Sequence, residues 1–199
     1  MQNMEYALTY LTDTAKENSM GKNRGKSFEG HIEEAFEKIS DVSVVRLHDQ
    51  TTGYLGSSNH CDFIVYKKPY EYHIECKSVH GNTLSIHSVP KKDSKGVLHG
   101  FYGNITDTQW EGLLEKSKIP GVIAGVICWW IDKDVTVFLP IQMLQALKNM
   151  SKKSIRYDME VFCDSNGDGY ATTAIKGKKK RIFFDYDMED FLNELSKRS

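Results

Sequence analysis

The chain has 199 residues, with 26 Lys+Arg against 27 Asp+Glu and a formal net charge of −1. With 40% hydrophobic and 27% charged residues, it has the composition of a folded globular protein and length enough for one domain with a sizeable core. The near-zero charge excludes a protein that coats nucleic acid by bulk positive field, but it leaves room for a local basic groove.

Met4, Leu8, Leu11 and Ala15 lie at helical spacing and predict a helix within the first twenty residues. A polar, glycine-bearing hinge follows at 21–26. Phe28, Ile32, Ala35, Phe36 and Ile39 form the apolar stripe of a second helix over 27–39. Residues 43–47 read as a strand and 49–60 as a polar loop rich in turn formers. Strands are expected at 61–66 and 71–77, then a long loop over about 79–103 and a helix at 106–116. The longest apolar run, Gly121 to Ile131, is about half of what a membrane-spanning helix needs and suits a central strand covered on both faces. A strand at 135–139, a helix at 141–149 and a basic linker at 151–156 come next. Strands at 159–163, 170–175 and 181–184 precede a terminal amphipathic helix. This order predicts an α/β protein with a mixed sheet. It is expected to form a single domain over 1–199, with a core at 20–150 and a C-terminal hairpin-and-helix extension at 151–199.

The start of the chain lacks the basic-then-apolar pattern of a secretory signal, so the cytoplasm is the expected compartment and no membrane partner is expected. Cys61, Cys76, Cys128 and Cys163 stand singly without CxxC spacing and read as reduced thiols. Trp129 and Trp130 fit either the core or an interface.

Several motifs fail on spacing. Gly21 to Ser27 has three residues where a phosphate-binding loop needs four between its glycines. Asp164-Ser-Asn-Gly-Asp-Gly169 begins like a calcium-binding EF-hand, but Ile175 stands where the bidentate Glu belongs, so a hairpin turn is expected. The histidines form no HxH or HExxH pair, which argues against a histidine-built zinc centre. There is no GxSxG elbow.

The pair of strands around Pro69 carries the chemistry. With Lys67 to Tyr70 as the loop, Tyr66 pairs with Glu71, and counting back sets Asp62 opposite Glu75. Alternation then places Cys61, Phe63, Val65, Tyr70, Tyr72, Ile74 and Cys76 on a core face, and Asp62, Ile64, His73, Glu75 and Lys77 on the other. Two carboxylates facing each other across a strand pair repel and raise each other's pKa. A hard divalent cation with oxygen ligands relieves this, and Lys77 adds a second positive group on the same face. The competing reading is a solvent-facing ladder of charges. His73 reads as a surface histidine rather than a ligand.

Asp62 followed by Ile74-Glu75-Cys76-Lys77 resembles the PD-(D/E)xK nuclease signature. Upstream, Asn23-Arg24-Gly25-Lys26-Ser27-Phe28-Glu29 is similar to the NRG-x-x-(hydrophobic)-E opening of the RecU-type Holliday-junction resolvases. Downstream, Asn104 to Gln109 is similar to that family's N-x4-Q segment. The three blocks stand in family order over roughly residues 23–130.

The resemblance implies a restriction-endonuclease-like mixed central sheet flanked by helices. It also implies Mg²⁺, replaceable by Mn²⁺, held by Asp62, Glu75, the Cys76 carbonyl and, directly or through water, Glu29. Lys77 would orient or help deprotonate the attacking water, and Gln109 would steady the site. Arg24 and Lys26 would contact phosphates. The expected partner is DNA, as four-way junctions, and paired symmetric nicks imply a homodimer.

Two departures stand out. The interval from 49 to 60 is too short for the family's stalk. A segment over 88–103 containing Lys91, Lys92 and Lys95 is added after the lysine, either as a DNA-contacting loop or as a solvated excursion. The alternatives are a restriction-like or repair endonuclease acting on duplex, flap or mismatched DNA, and a non-catalytic DNA-binding recombination factor.

Overall fold

The computed structural model describes residues 27–47, 59–86, 89–92, 98–102, 104–180 and 183–198. The predicted helix within the first twenty residues, the hinge at 21–26 and most of the 49–60 loop lie outside the described residues. The second helix forms over 27–37 (α1) and buries Phe28, Ile32, Ala35 and Phe36, as its apolar stripe requires.

The strands β1 (Ser43–Arg46), β2 (Phe63–Lys67) and β3 (Tyr70–Val79) follow as a meander. The turn between β2 and β3 is shorter than expected, because Lys67 pairs with Tyr70 and leaves Lys68-Pro69, joined by a cis peptide, as its tip. The long loop expected over 79–103 instead contains β4 (Thr83–Ser85) and the hairpin of β5 (Val89–Lys92) and β6 (Leu98–Tyr102). Helix α2 (Asp107–Lys116), β7 (Val122–Trp130), β8 (Val135–Pro140) and helix α3 (Ile141–Asn149) match the apolar patterns that predict them.

The basic linker at 151–156 is corrected in part: Ser154–Arg156 is β9 and pairs with β4, with Leu84 opposite Ile155, both fully buried. This contact between distant segments leaves no local sequence signal. Strands β10 (Val161–Cys163) and β11 (Gly169–Ala171) form the hairpin expected in place of a calcium loop. Its turn is held by Asp164 Oδ1, which accepts from the N–H groups of Asn166 and Asp168. The single strand predicted at 170–175 divides into β11 and β12 (Thr173–Ala174). That predicted at 181–184 is displaced to β13 (Gly177–Lys179) and β14 (Phe184–Tyr186). Helix α4 (Met188–Ser196) closes the described chain.

The central sheet has the order β1-β2-β3-β7-β8-β12, with β3 and β7 parallel and the other neighbours antiparallel. Both faces are covered. On one, Phe28 and Phe36 of α1 and Phe191 and Leu192 of α4 pack against Phe63, Tyr72, Ile74, Ile127 and Phe138. On the other, Trp110 and Leu113 of α2 and Leu144 and Leu147 of α3 pack against Val126, Cys128, Trp130 and Leu139. Trp129 and Trp130 point to opposite layers and both belong to the core. Strands β3 and β7, covered on both sides, are therefore almost continuously buried, as parallel neighbours in an α/β sheet are. No helix among the described residues is long and apolar enough to cross a membrane. All four cysteines are free, with Cys163 exposed and the others buried.

Candidate active site

Position in the sheet makes the site. The β2–β3 ladder ends at Phe63–Ile74, one pair before Asp62 would meet Glu75 across the strands. Asp62 caps the edge of β3 instead. Its N–H donates to the Ile74 carbonyl at 3.0 Å, and its Oδ2 accepts from the Cys76 N–H at 2.7 Å. The departure from the pleat also moves Cys61, expected on the core face with Phe63, into the opposite layer beside Val79 and Cys128. A strand residue's N–H and C=O leave by the same edge, so the Cys76 carbonyl points to the edge that Asp62 occupies.

Glu75 projects from the middle of β3 and is only 2% exposed. Its Oε1 accepts from Lys77 Nζ at 2.6 Å and from Gln109 Nε2 at 2.5 Å. Its Oε2 is buried without a hydrogen-bond partner. Burial pushes the Glu75 carboxyl up to about 8; Lys77 draws it down, while the charges of Asp62 and Glu29 add to the rise. These four ionisable groups therefore share one electrostatic site.

Gln109 has two tasks. Its Oε1 accepts from the Thr106 N–H while the Thr106 hydroxyl accepts from the Gln109 N–H, a reciprocal cap that starts α2. The same cap aims Nε2 at Glu75, so helix initiation and site geometry depend on one side chain.

Glu29 approaches from α1, and its Oε2 accepts from Arg46 Nη2 at 2.6 Å. Arg46 Nη1 reaches Glu33 Oε2 at 2.7 Å, and the guanidinium lies over the Phe63 ring. Glu33 is thus engaged because Arg46 reaches across from the end of β1. Sequence reasoning passed over Arg46. The available signal was a pair of acids one helical turn apart, Glu29 and Glu33, ahead of a strand ending in a lone arginine.

His73, read from the sequence as a surface residue, is 1% exposed, because α2 and the residues before β2 cover that face. It contacts His60 and Glu71 rather than the acidic cluster. Arg24, Lys26 and Lys95 lie outside the described residues. Lys91 and Lys92 lie on β5, opposite His99 and Leu98 of β6 and just past a bulge.

The acids fit a hard cation. A buried carboxylate oxygen without a donor is rare in a folded protein. Here the charges of Asp62 and Glu29 act on its carboxyl, and the Cys76 carbonyl points to the edge that Asp62 occupies. Such an all-oxygen set matches Mg²⁺ or Mn²⁺ rather than a soft metal.

The mixed sheet with helices on both faces, and the hairpin that carries Asp62 and Glu75-Cys76-Lys77, agree with the arrangement that the sequence resemblance leads one to expect. No protein-family model and no curated protein matches the chain. Among solved structures it is similar to Hjc of Archaeoglobus fulgidus, a Holliday junction resolvase from an archaeal hyperthermophile. Identity is 18% and the TM-score 0.42, over 66% of this chain and 88% of that one.

Proposed function

We propose that this protein is a Mg²⁺-dependent DNA endonuclease that resolves four-way junctions by paired nicks, acting as a homodimer. The observation that carries the reading is the Glu75 carboxylate. One of its oxygens is tied to Lys77 and Gln109, the other is buried and unpartnered, and the charges of Asp62 and Glu29 act on the same carboxyl. A scaffold retained only for binding DNA has no use for a buried acid held this way, because leaving it unsatisfied costs free energy.

Asp62, Glu75 and the Cys76 carbonyl would hold the cation, with Glu29 as a further acid at its margin. A bound divalent ion lowers the pKa of water and offsets charge on the scissile phosphate. The chain's own groups do the rest. Lys77, anchored on Glu75 and partly open to solvent, offers its ammonium to the attacking water and to the oxygens of the phosphate as charge develops. Gln109 holds Glu75 Oε1 and so fixes the rotamer that leaves Oε2 for the cation. Arg46 draws Glu29 of α1 toward the end of β1 and limits the repulsion among three acids.

Junction preference and dimerisation rest on the sequence resemblance, and they follow from one another. Two symmetric cuts need two sites, and an isologous pair supplies them. Purified protein incubated with Mg²⁺ and either a synthetic four-way junction or a linear duplex tests the proposal. Symmetric nicks near the junction centre, absent with Asp62→Asn, are expected. Cleavage of linear duplex at an equal rate would assign the same chemistry to a restriction-like or repair enzyme. Absence of Mg²⁺-dependent cleavage of any DNA would refute the enzyme.

A further inference from the structure

Outside the acidic cluster, three soft ligand atoms converge that no linear motif connects. His60 Nε2 lies 2.8 Å from His73 Nδ1, and Cys61 Sγ lies 3.8 Å from the same nitrogen. All three atoms are within 4.8 Å of one another. His60 and Cys61 come from the segment entering β2, and His73 from the middle of β3, so the sheet assembles the group.

We propose that His60, Cys61 and His73 form a Zn²⁺ site, separate from the acidic cluster, that staples the residues leading into Asp62 onto β3. Tetrahedral zinc with nitrogen and thiolate ligands places two nitrogens about 3.3 Å apart and nitrogen and sulfur about 3.6 Å apart. The observed 2.8 Å is about half an ångström short of this and the 3.8 Å close to it, while His60 Nε2 and Cys61 Sγ lie within 4.8 Å, so modest side-chain rotations complete the set.

Two further features suit a metal site. His73 Nε2 lies 2.7 Å from Glu71 Oε1, the carboxylate partner that typically orients a metal-binding histidine. With the Nε2 proton held there, the Nδ1 lone pair faces His60 and Cys61. Gly112 of α2 makes the room: a Cβ at that position would lie 2.3 Å from His60 Cβ. A helix interior disfavours glycine by about 1 kcal/mol relative to alanine, and the close seating of His60 accounts for its presence. Cys61 and His73 are each 1% exposed while His60 is half-buried, so the fourth coordination position opens on the His60 side, where water completes the tetrahedron. Binding exchanges the Cys61 S–H bond for an S–Zn bond and releases one proton to solvent.

Cobalt(II) spectroscopy on the full chain after chelator dialysis tests the site without reading cleavage, so it stands apart from the nuclease proposal. Wild type, Glu75→Gln and Cys163→Ser should each develop, on titration with Co²⁺, tetrahedral visible absorption and a thiolate-to-cobalt charge-transfer band that saturates at one equivalent, both displaced by Zn²⁺. Cys61→Ala, confirmed folded by circular dichroism, should lose the band. His60→Gln, at the half-buried ligand, should weaken Zn²⁺ binding by about tenfold or more even if the cysteine variant does not fold. A wild type without the charge-transfer band, a band that survives Cys61→Ala, or unchanged Zn²⁺ affinity in His60→Gln would overturn the proposal.

Discussion

Glu75 is the residue on which most of the account depends, and its protonation gives the first prediction. Its carboxyl rises from an ordinary 4.5 to about 8 because burial disfavours the charged form. Between those values the native chain keeps a proton that the unfolded chain has released, so this group's contribution to stability is full below about pH 4.5 and is lost as pH rises through about 8. In chelator, the urea midpoint of the wild type should fall across that window more than that of Glu75→Gln. Identical pH profiles would show that Glu75 ionises freely. Added Mg²⁺ should stabilise the wild type more at the upper end of the window, where the carboxylate no longer competes with its proton. The neighbouring side chains divide their effects differently. Lys77→Ala should lower the cleavage rate by about 10²–10³-fold with little change in stability. Gln109→Ala, which acts through Glu75, should cost about 10–100-fold and weaken Mg²⁺ binding as well. Single-turnover rates at several Mg²⁺ concentrations separate the two patterns.

Among the secondary elements, the β2–β3 hairpin was the most legible, because its turn residues and its two-residue alternation are local properties. Tyr66 does face Glu71, and Glu75 and Lys77 do share a side of β3. Legibility ended where the chain leaves the ladder. Alternation carries Cys61 to the core face, whereas the bonds of Asp62 to Ile74 and Cys76 turn it the other way. The meeting of His60 with His73, the reach of Arg46 to α1 and the pairing of β4 with β9 are all contacts between distant segments, which no window of sequence encodes. Helix ends were readable for the opposite reason, since Thr106 and Gln109 form a cap within one turn. Thr106→Ala should therefore cost about 1 kcal/mol in urea unfolding and also slow cleavage by loosening Gln109. An equal stability loss with unchanged cleavage would separate the cap from the site. Phe36, fully buried between α1 and the sheet beside Phe63, should cost about 3–5 kcal/mol on truncation to Ala.

At the scale of the whole molecule, the segment after residue 150 is built into the fold: β12 is an edge of the central sheet, and α4 shares a layer with α1. Tyr72 on β3 also meets Ser196 of α4 at 3.0 Å, linking the strand that carries Glu75 to the last described helix. The net charge of −1 conceals opposed local features, with acids on α1 and near the C-terminus offsetting scattered lysines. Binding to DNA should consequently weaken steeply with salt despite the near-neutral total, because contacts to phosphates release counterions wherever lysines meet the backbone. A flat dependence of the dissociation constant on salt would argue against such contacts. Sedimentation should show a dimer if two sites act on one junction. The central claim, that the acidic edge of β3 hydrolyses DNA with a divalent cation, is tested most directly by junction cleavage with wild type and Glu75→Gln side by side, with and without Mg²⁺. The account predicts cleavage by the wild type in Mg²⁺ only, and none by a folded Glu75→Gln. Equal cleavage by the two proteins, or cleavage by the wild type in chelator, would contradict it.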